Sequence, residues 1–291
     1  MASTRATARS NMLVYLVSTF AFSYLLWSLS VLEYLDFIDL GENGQVIYSM
    51  TLVVGAFGPA FGSYMALRRT NQSFKSHLKR LLDFHGITLQ LLALVFFLPI
   101  LIHLITYAIG LVVSLPLPGS RLPSLWLYVP NLLFVTILGG GQEEIGWRGY
   151  LQEQTNEIFG SIPRASIVIG IFWGIWHLPL WFMVYDEHYL TSYPGFLIMT
   201  IFLSIIFGYI YQISANNMIL VVIFHGSINA AHSLLYLVYN PSLDSGQPLS
   251  WIYIGVIVLI ALIFIRYHER LEQMLGKDIN HPNQTVSEAN N

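Results

Sequence analysis

Long apolar stretches alternate with short polar ones along the 291-residue chain. Eight of them contain no Asp, Glu, Lys or Arg: about 12–32, 45–67, 88–114, 122–142, 165–185, 196–215, 218–239 and 251–265. A helix that crosses a bilayer takes about 20 apolar residues, and most of the eight reach that length. The last is shorter, but Pro248, Leu249 and a snorkelling Arg266 extend it. Backbone groups in lipid must be bonded within their own segment, so the stretches predict helices. The first does not read as a cleaved signal peptide, being too long and lacking a small-residue cleavage pattern before Glu33. The expected fold is therefore all-α, a polytopic transmembrane bundle of about eight helices. It forms one domain over residues 1–275, and a polar tail at 276–291 is expected to be disordered.

The basic residues orient this bundle. Arg5, Arg9, Arg68, Arg69, Lys75, Lys79, Arg80, Arg148, Arg164, Arg266, Arg270 and Lys277 fall on the N-terminal side of the eight-span topology, and only Arg121 falls opposite. By the positive-inside rule both termini are cytoplasmic. The connection from Arg68 to Ile87 is basic and amphipathic enough to lie along the headgroups. The segment 33–44 is acidic and faces outward, and Pro116, Pro118 and Pro123 break the chain before the fourth span.

Composition removes several classes of function. The chain is 55% hydrophobic and 10% charged, where soluble domains carry about 25% charged residues. Its mean hydropathy of +0.61 agrees. A net charge of −3 does not suit a nucleic-acid partner. The expected partners are membrane lipids and a peptide or protein substrate. With no cysteine, disulfides, thiolate catalysis and cysteine-ligated metals are ruled out.

Three polar patches inside the apolar stretches carry the chemistry. The first is Gln142-Glu143-Glu144-Ile145-Gly146-Trp147-Arg148, which follows three glycines at 139–141. If the fourth helix continues through it, Glu144 and Arg148 are i,i+4 neighbours suited to an ion pair. Glu143 then points about 100° away and is left to exchange protons. A solvated, charged helix end is the competing reading of this segment. The second patch is His177, well inside the fifth span and two residues before Pro179, which can open the helix locally. The third is His225 with Asn229, i,i+4 on the seventh span and followed by His232. Polar groups at membrane depth are costly and mark functional sites, although histidine and asparagine can also serve as interhelical glue. Three patches on three helices exceed what glue requires. Glutamate and histidine can activate water, and histidine and asparagine can donate to an oxyanion. His77, His85, His188, His268 and His281 read as solvated, and His103 shows no partner.

These residues resemble the CPBP intramembrane proteases, a family that includes the type 2 CAAX prenyl proteases and bacteriocin-processing or immunity proteins. Its first motif, two glutamates, three residues and an arginine, often followed by Gly-Tyr-Leu, is matched by Glu143, Glu144, Arg148, Gly149, Tyr150 and Leu151. In its second, a phenylalanine lies four residues before a histidine; here His177 is present and Trp173 stands in place of the phenylalanine. Its third is matched by His225 and Asn229. The three occur in the family's order over about 125–240. The resemblance implies peptide-bond hydrolysis at a site open to the cytoplasmic half. Glu143 and His177 would activate water, His225 and Asn229 would stabilise the oxyanion, and Glu144 with Arg148 would support them. Expected localisation is the plasma membrane of a prokaryote. The family has been described as metal-dependent, and Glu with two His could bind zinc. The spacing lacks the HExxH pattern of soluble zinc proteases, so the favoured reading has no resident metal. A proton-coupled transporter and a non-catalytic immunity or scaffold protein are the other readings. No inverted repeat or pair of broken helices favours the transporter.

Overall fold

The computed structural model describes residues 2–115, 128–186, 188, 192–234 and 248–275, and no strand occurs among them. Six helices are long and apolar enough to cross a membrane: Thr4–Tyr34, Gly41–Arg69, Leu89–Val112, Ile162–Phe182, Tyr193–Ile213 and Pro248–Leu275. A shorter apolar helix covers Met218–His232. These seven answer to seven of the eight stretches. The remaining one, 122–142, is described only from residue 128. The prolines at 116, 118 and 123 and the tail 276–291 lie outside the described residues. The protein is an integral membrane protein, and leucines and aromatics such as Leu25, Phe97 and Leu133 project from its surface, as lipid contact requires.

Helix α1 (Ala2–Tyr34) runs beside α2 (Gly44–Gly55) and α3 (Gly58–Arg69). The second stretch was expected as one helix, but it is jointed at Ala56 and Phe57. Pro59, in the first turn of α3, has no N–H to satisfy there. Gly58 and Gly62, four residues apart, lie directly on Ser23 and Thr19 of α1, the close small-residue packing that holds helices together in lipid.

Helix α4 (Phe74–Lys79) is capped by Ser73 Oγ, and α5 (Leu89–Val112) by Thr88 Oγ1. The basic connection from Arg68 to Ile87 does more than lie along a surface. His77, read from sequence as solvated, is 7% exposed, and its Nε2–H donates to the Ile145 carbonyl at 2.9 Å. Burial pushes its pKa below the usual histidine value, which keeps the ring neutral. Arg80 donates to the Gly149 carbonyl at 2.9 Å and pairs with Glu153 at 3.0 Å. Asn217 Nδ2 donates to the Asp83 and His85 carbonyls at 2.8 and 2.9 Å.

The chain continues through α6 (Tyr128–Ile137), α7 (Glu144–Gly146), a π-helical turn at Trp147–Leu151 and α8 (Gln152–Phe159). Gly160, in the left-handed conformation at φ +69°, ends α8. Helix α9 (Ile162–Trp176) packs on α10 (Tyr193–Ile213), with α11 (Met218–Leu234) and α12 (Pro248–Leu275) completing the bundle.

Candidate active site

The fourth helix does not continue through the paired glutamates, as the sequence reading expected. It ends at Ile137, and the chain breaks at the glycine run. Gly140 has φ +132°, which a side chain would strain. A Cβ on it would also lie 2.5 Å from Asn229 Nδ2 and 2.7 Å from His225 Nε2. Gln142 spans the break: its Oε1 accepts from the Gly140 N–H at 2.9 Å, and its Nε2 donates to the Leu138 carbonyl at 3.2 Å. A 3-10 turn at Gly141–Glu143, α7 and the π turn then carry the first motif into the bundle. His77 and Arg80, described above, bond carbonyls of α7 and of the π turn from the basic connection.

The i,i+4 pair survives this irregular backbone. Arg148 Nη1 donates to Glu144 Oε1 and Oε2 at 3.2 and 3.0 Å, and both side chains are fully buried. The segment is therefore no solvated helix end. Glu144 Oε1 also accepts from His225 Nδ1 at 2.8 Å, linking the first motif to the third. The bond holds the ring with Nε2 beside Asn229 Nδ2 at Gly140. Asn229 Nδ2 donates to the Gly139 carbonyl at 2.6 Å. The Arg148 guanidinium lies 4.4 Å from the centre of the Phe207 ring and 5.4 Å from Trp173, so aromatic faces share in holding the charge.

Glu143 is turned the other way, and it is not left unattended. Its Oε2 accepts from Trp173 Nε1 at 2.8 Å and faces Trp147 Nε1 at 3.4 Å. His177 ends α9, and its Nδ1–H donates to the Trp173 carbonyl at 2.8 Å. In the neutral ring that leaves Nε2 as an acceptor. His177 joins the cluster through the Trp173 ring, 5.8 Å away, with no direct bond to Glu143. The structure thus gathers Glu143, Glu144, Arg148, His225 and Asn229 at the glycine break and sets His177 one turn beyond Trp173.

Sequence reasoning missed Trp147, Trp173, Gly140 and Gln142 as parts of this site. The glycine run and the departure at Trp173 were the available signals. Two histidines were also misjudged. His188 is bonded to buried Asp186 at 2.5 Å, and Tyr48 OH donates to the same carboxylate at 2.9 Å. His103 is bonded through Nδ1 to the Pro99 carbonyl at 2.8 Å and lies 5.7 Å from the His232 ring.

Zinc would need Glu143, His177 and His225 to converge on one ion. Among the described residues no three His, Asp or Glu side chains do so. His225 and His177 each use Nδ1 in a hydrogen bond, to Glu144 and to the Trp173 carbonyl, and each keeps Nε2.

A helical membrane domain that gathers two carboxylates, an arginine, a histidine and an asparagine from separate elements is built like an intramembrane hydrolase. Residues 124–231 match the family model described as type II CAAX prenyl endopeptidase Rce1-like, a span that holds all three motifs. The chain is also 28% identical over 277 residues to the CAAX prenyl protease 2 of Methanococcus maripaludis, covering 90% of this chain and 95% of that protein. These matches bear out the resemblance read from the motifs: the chain is a membrane protease, similar over its three motifs to the Rce1-like, CAAX-protease type.

Proposed function

We propose that the protein is an intramembrane endopeptidase that cleaves a peptide bond of a membrane-associated or lipidated substrate. Glu143 is the general base, and the Nε2 lone pair of His177 helps to orient the water. Water loses a proton to Glu143 and attacks the scissile carbonyl carbon, and the carbonyl oxygen becomes an oxyanion. Asn229 Nδ2 and His225, protonated at Nε2, donate to that oxygen. The C–N bond then breaks, and the proton held by Glu143 passes to the leaving amine. Glu144 and Arg148 position His225. No step runs through a metal. We further propose that the plasma membrane of a prokaryote houses it, with both termini cytoplasmic.

One observation carries this reading. Glu144 accepts from both Arg148 and His225, which sets His225 Nε2 and Asn229 Nδ2 together against Gly140, while Glu143 is the residue just before Glu144. Buried glue has no use for two donors converging beside a second carboxylate. The test is cleavage of a quenched peptide, soluble or lipid-anchored, by purified protein in lipid nanodiscs. Glu143→Gln keeps size and hydrogen bonding but removes the base, so the rate should fall about 10²- to 10⁴-fold. Full activity in this variant refutes the assignment.

A further inference from the structure

The one position at which the chain departs from the family's motifs sits against the proposed base. Trp173 stands where the pattern has phenylalanine, is 5% exposed, and donates from Nε1 to Glu143 Oε2 at 2.8 Å. Its ring also meets the His225 ring at 5.5 Å, the His177 ring at 5.8 Å and the Arg148 guanidinium at 5.4 Å. A phenylalanine could supply the wall but not the N–H, because its ring carries no donor.

A buried carboxylate must aim one oxygen at its water to act as a base. A bond to the other oxygen fixes the plane of the group and removes its freedom to turn. Among the described residues no donor is bonded to Glu143 Oε1, whereas Oε2 faces both indoles. The 2.8 Å bond is well formed, and the 3.4 Å approach of Trp147 is at the limit of a hydrogen bond. We propose that Trp173 is a positioning residue that holds Glu143 by Oε2 and presents Oε1 to the water. The inference rests on the reading of Glu143 as base.

Hydrogen bonds to charged groups are strong enough that losing one of them costs at least about 10-fold in rate. The experiment compares Trp173→Phe, Trp173→His and Trp147→Phe with wild type and Glu143→Gln in nanodiscs, measuring kcat, KM and thermal unfolding. Trp173→Phe should lower kcat about 10-fold with KM within about twofold. Trp173→His should recover part of that loss, because the imidazole Nε2 occupies the ring position of the indole Nε1. Trp147 is fully buried, so a role in packing alone would make Trp147→Phe at least as damaging as Trp173→Phe. The positioning role makes it the milder change in kcat. If Glu143→Gln is inactive but Trp173→Phe retains wild-type kcat, or Trp173→His is no better than Trp173→Phe, the positioning role is wrong and the base assignment stands. An active Glu143→Gln overturns both.

Discussion

Removing the Arg148 side chain tests whether the first motif is a buried ion pair or a surface decoration. Arg148→Ala leaves Glu144 fully buried with His225 as its remaining partner. Breaking a buried pair from one side costs about 3–5 kcal/mol. Two features of the structure locate the value within that range. Arg148 Nε and Nη2 are buried with no hydrogen-bond partner among the described residues, so the native pair already carries a desolvation cost that truncation removes. The guanidinium also packs on Phe207, and that contact is lost. The two corrections oppose each other, and His225 still bonds Glu144, so the expectation is the lower end, about 3 kcal/mol. The assay is unfolding in mixed micelles, followed by tryptophan fluorescence, for Arg148→Ala, Glu144→Ala and the double variant. The cycle isolates the coupling between the two residues, and the single losses should not add. Losses below about 1 kcal/mol that add independently are the signature of an exposed pair, and that outcome would refute the argument.

Three further expectations follow from the site and the topology. Gly140→Ala introduces a side chain at φ +132° against His225 and Asn229; strain of about 1–3 kcal/mol is expected, and activity should fall at least about 10-fold, so wild-type turnover in this variant would show that the break is not tightly packed on the site. Asn229→Ala should cost about 2.7–4 kcal/mol in transition-state stabilisation with little change in KM, and metal analysis of the same protein beside His177→Ala and His225→Ala settles the cofactor, since stoichiometric zinc lost with either histidine would overturn the metal-free mechanism. A reporter fused after Asn291 should be cytoplasmic, and an external location would break the topology drawn from Lys and Arg.

Charge-free length was enough to read the bundle, because a membrane punishes an unpaired polar group in any crossing segment. The i,i+4 relation of Glu144 and Arg148 was legible because it is local. The connection between motifs was not. Glu144 and His225 are 81 residues apart, and nothing in the local pattern says which of two glutamates the histidine bonds. The helix break at Gly140 was hidden for a related reason. Three glycines permit close packing and a turn alike, and only the approach of α11 decides between them. His77 was misread because a short basic helix looks solvated until its partner, the Ile145 carbonyl, is known. Trp173 was legible as a departure from the second motif, but a sequence does not say where an indole N–H points.

The long separation between Glu144 and His225 has a consequence for biosynthesis. During translation the first motif emerges with Arg148 four residues behind Glu144, so that carboxylate can be neutralised almost at once. The donors from Trp173 and His225 are made 30 and 81 residues after the glutamates they bond. Until α9 and α11 are synthesised, Glu143 and Glu144 lack the donors that α9 and α11 supply, and a segment with two glutamates and an arginine is costly to bury in lipid. A chain truncated before α9 would lack the Trp173 donor to Glu143, and one truncated before α11 would lack the His225 donor to Glu144.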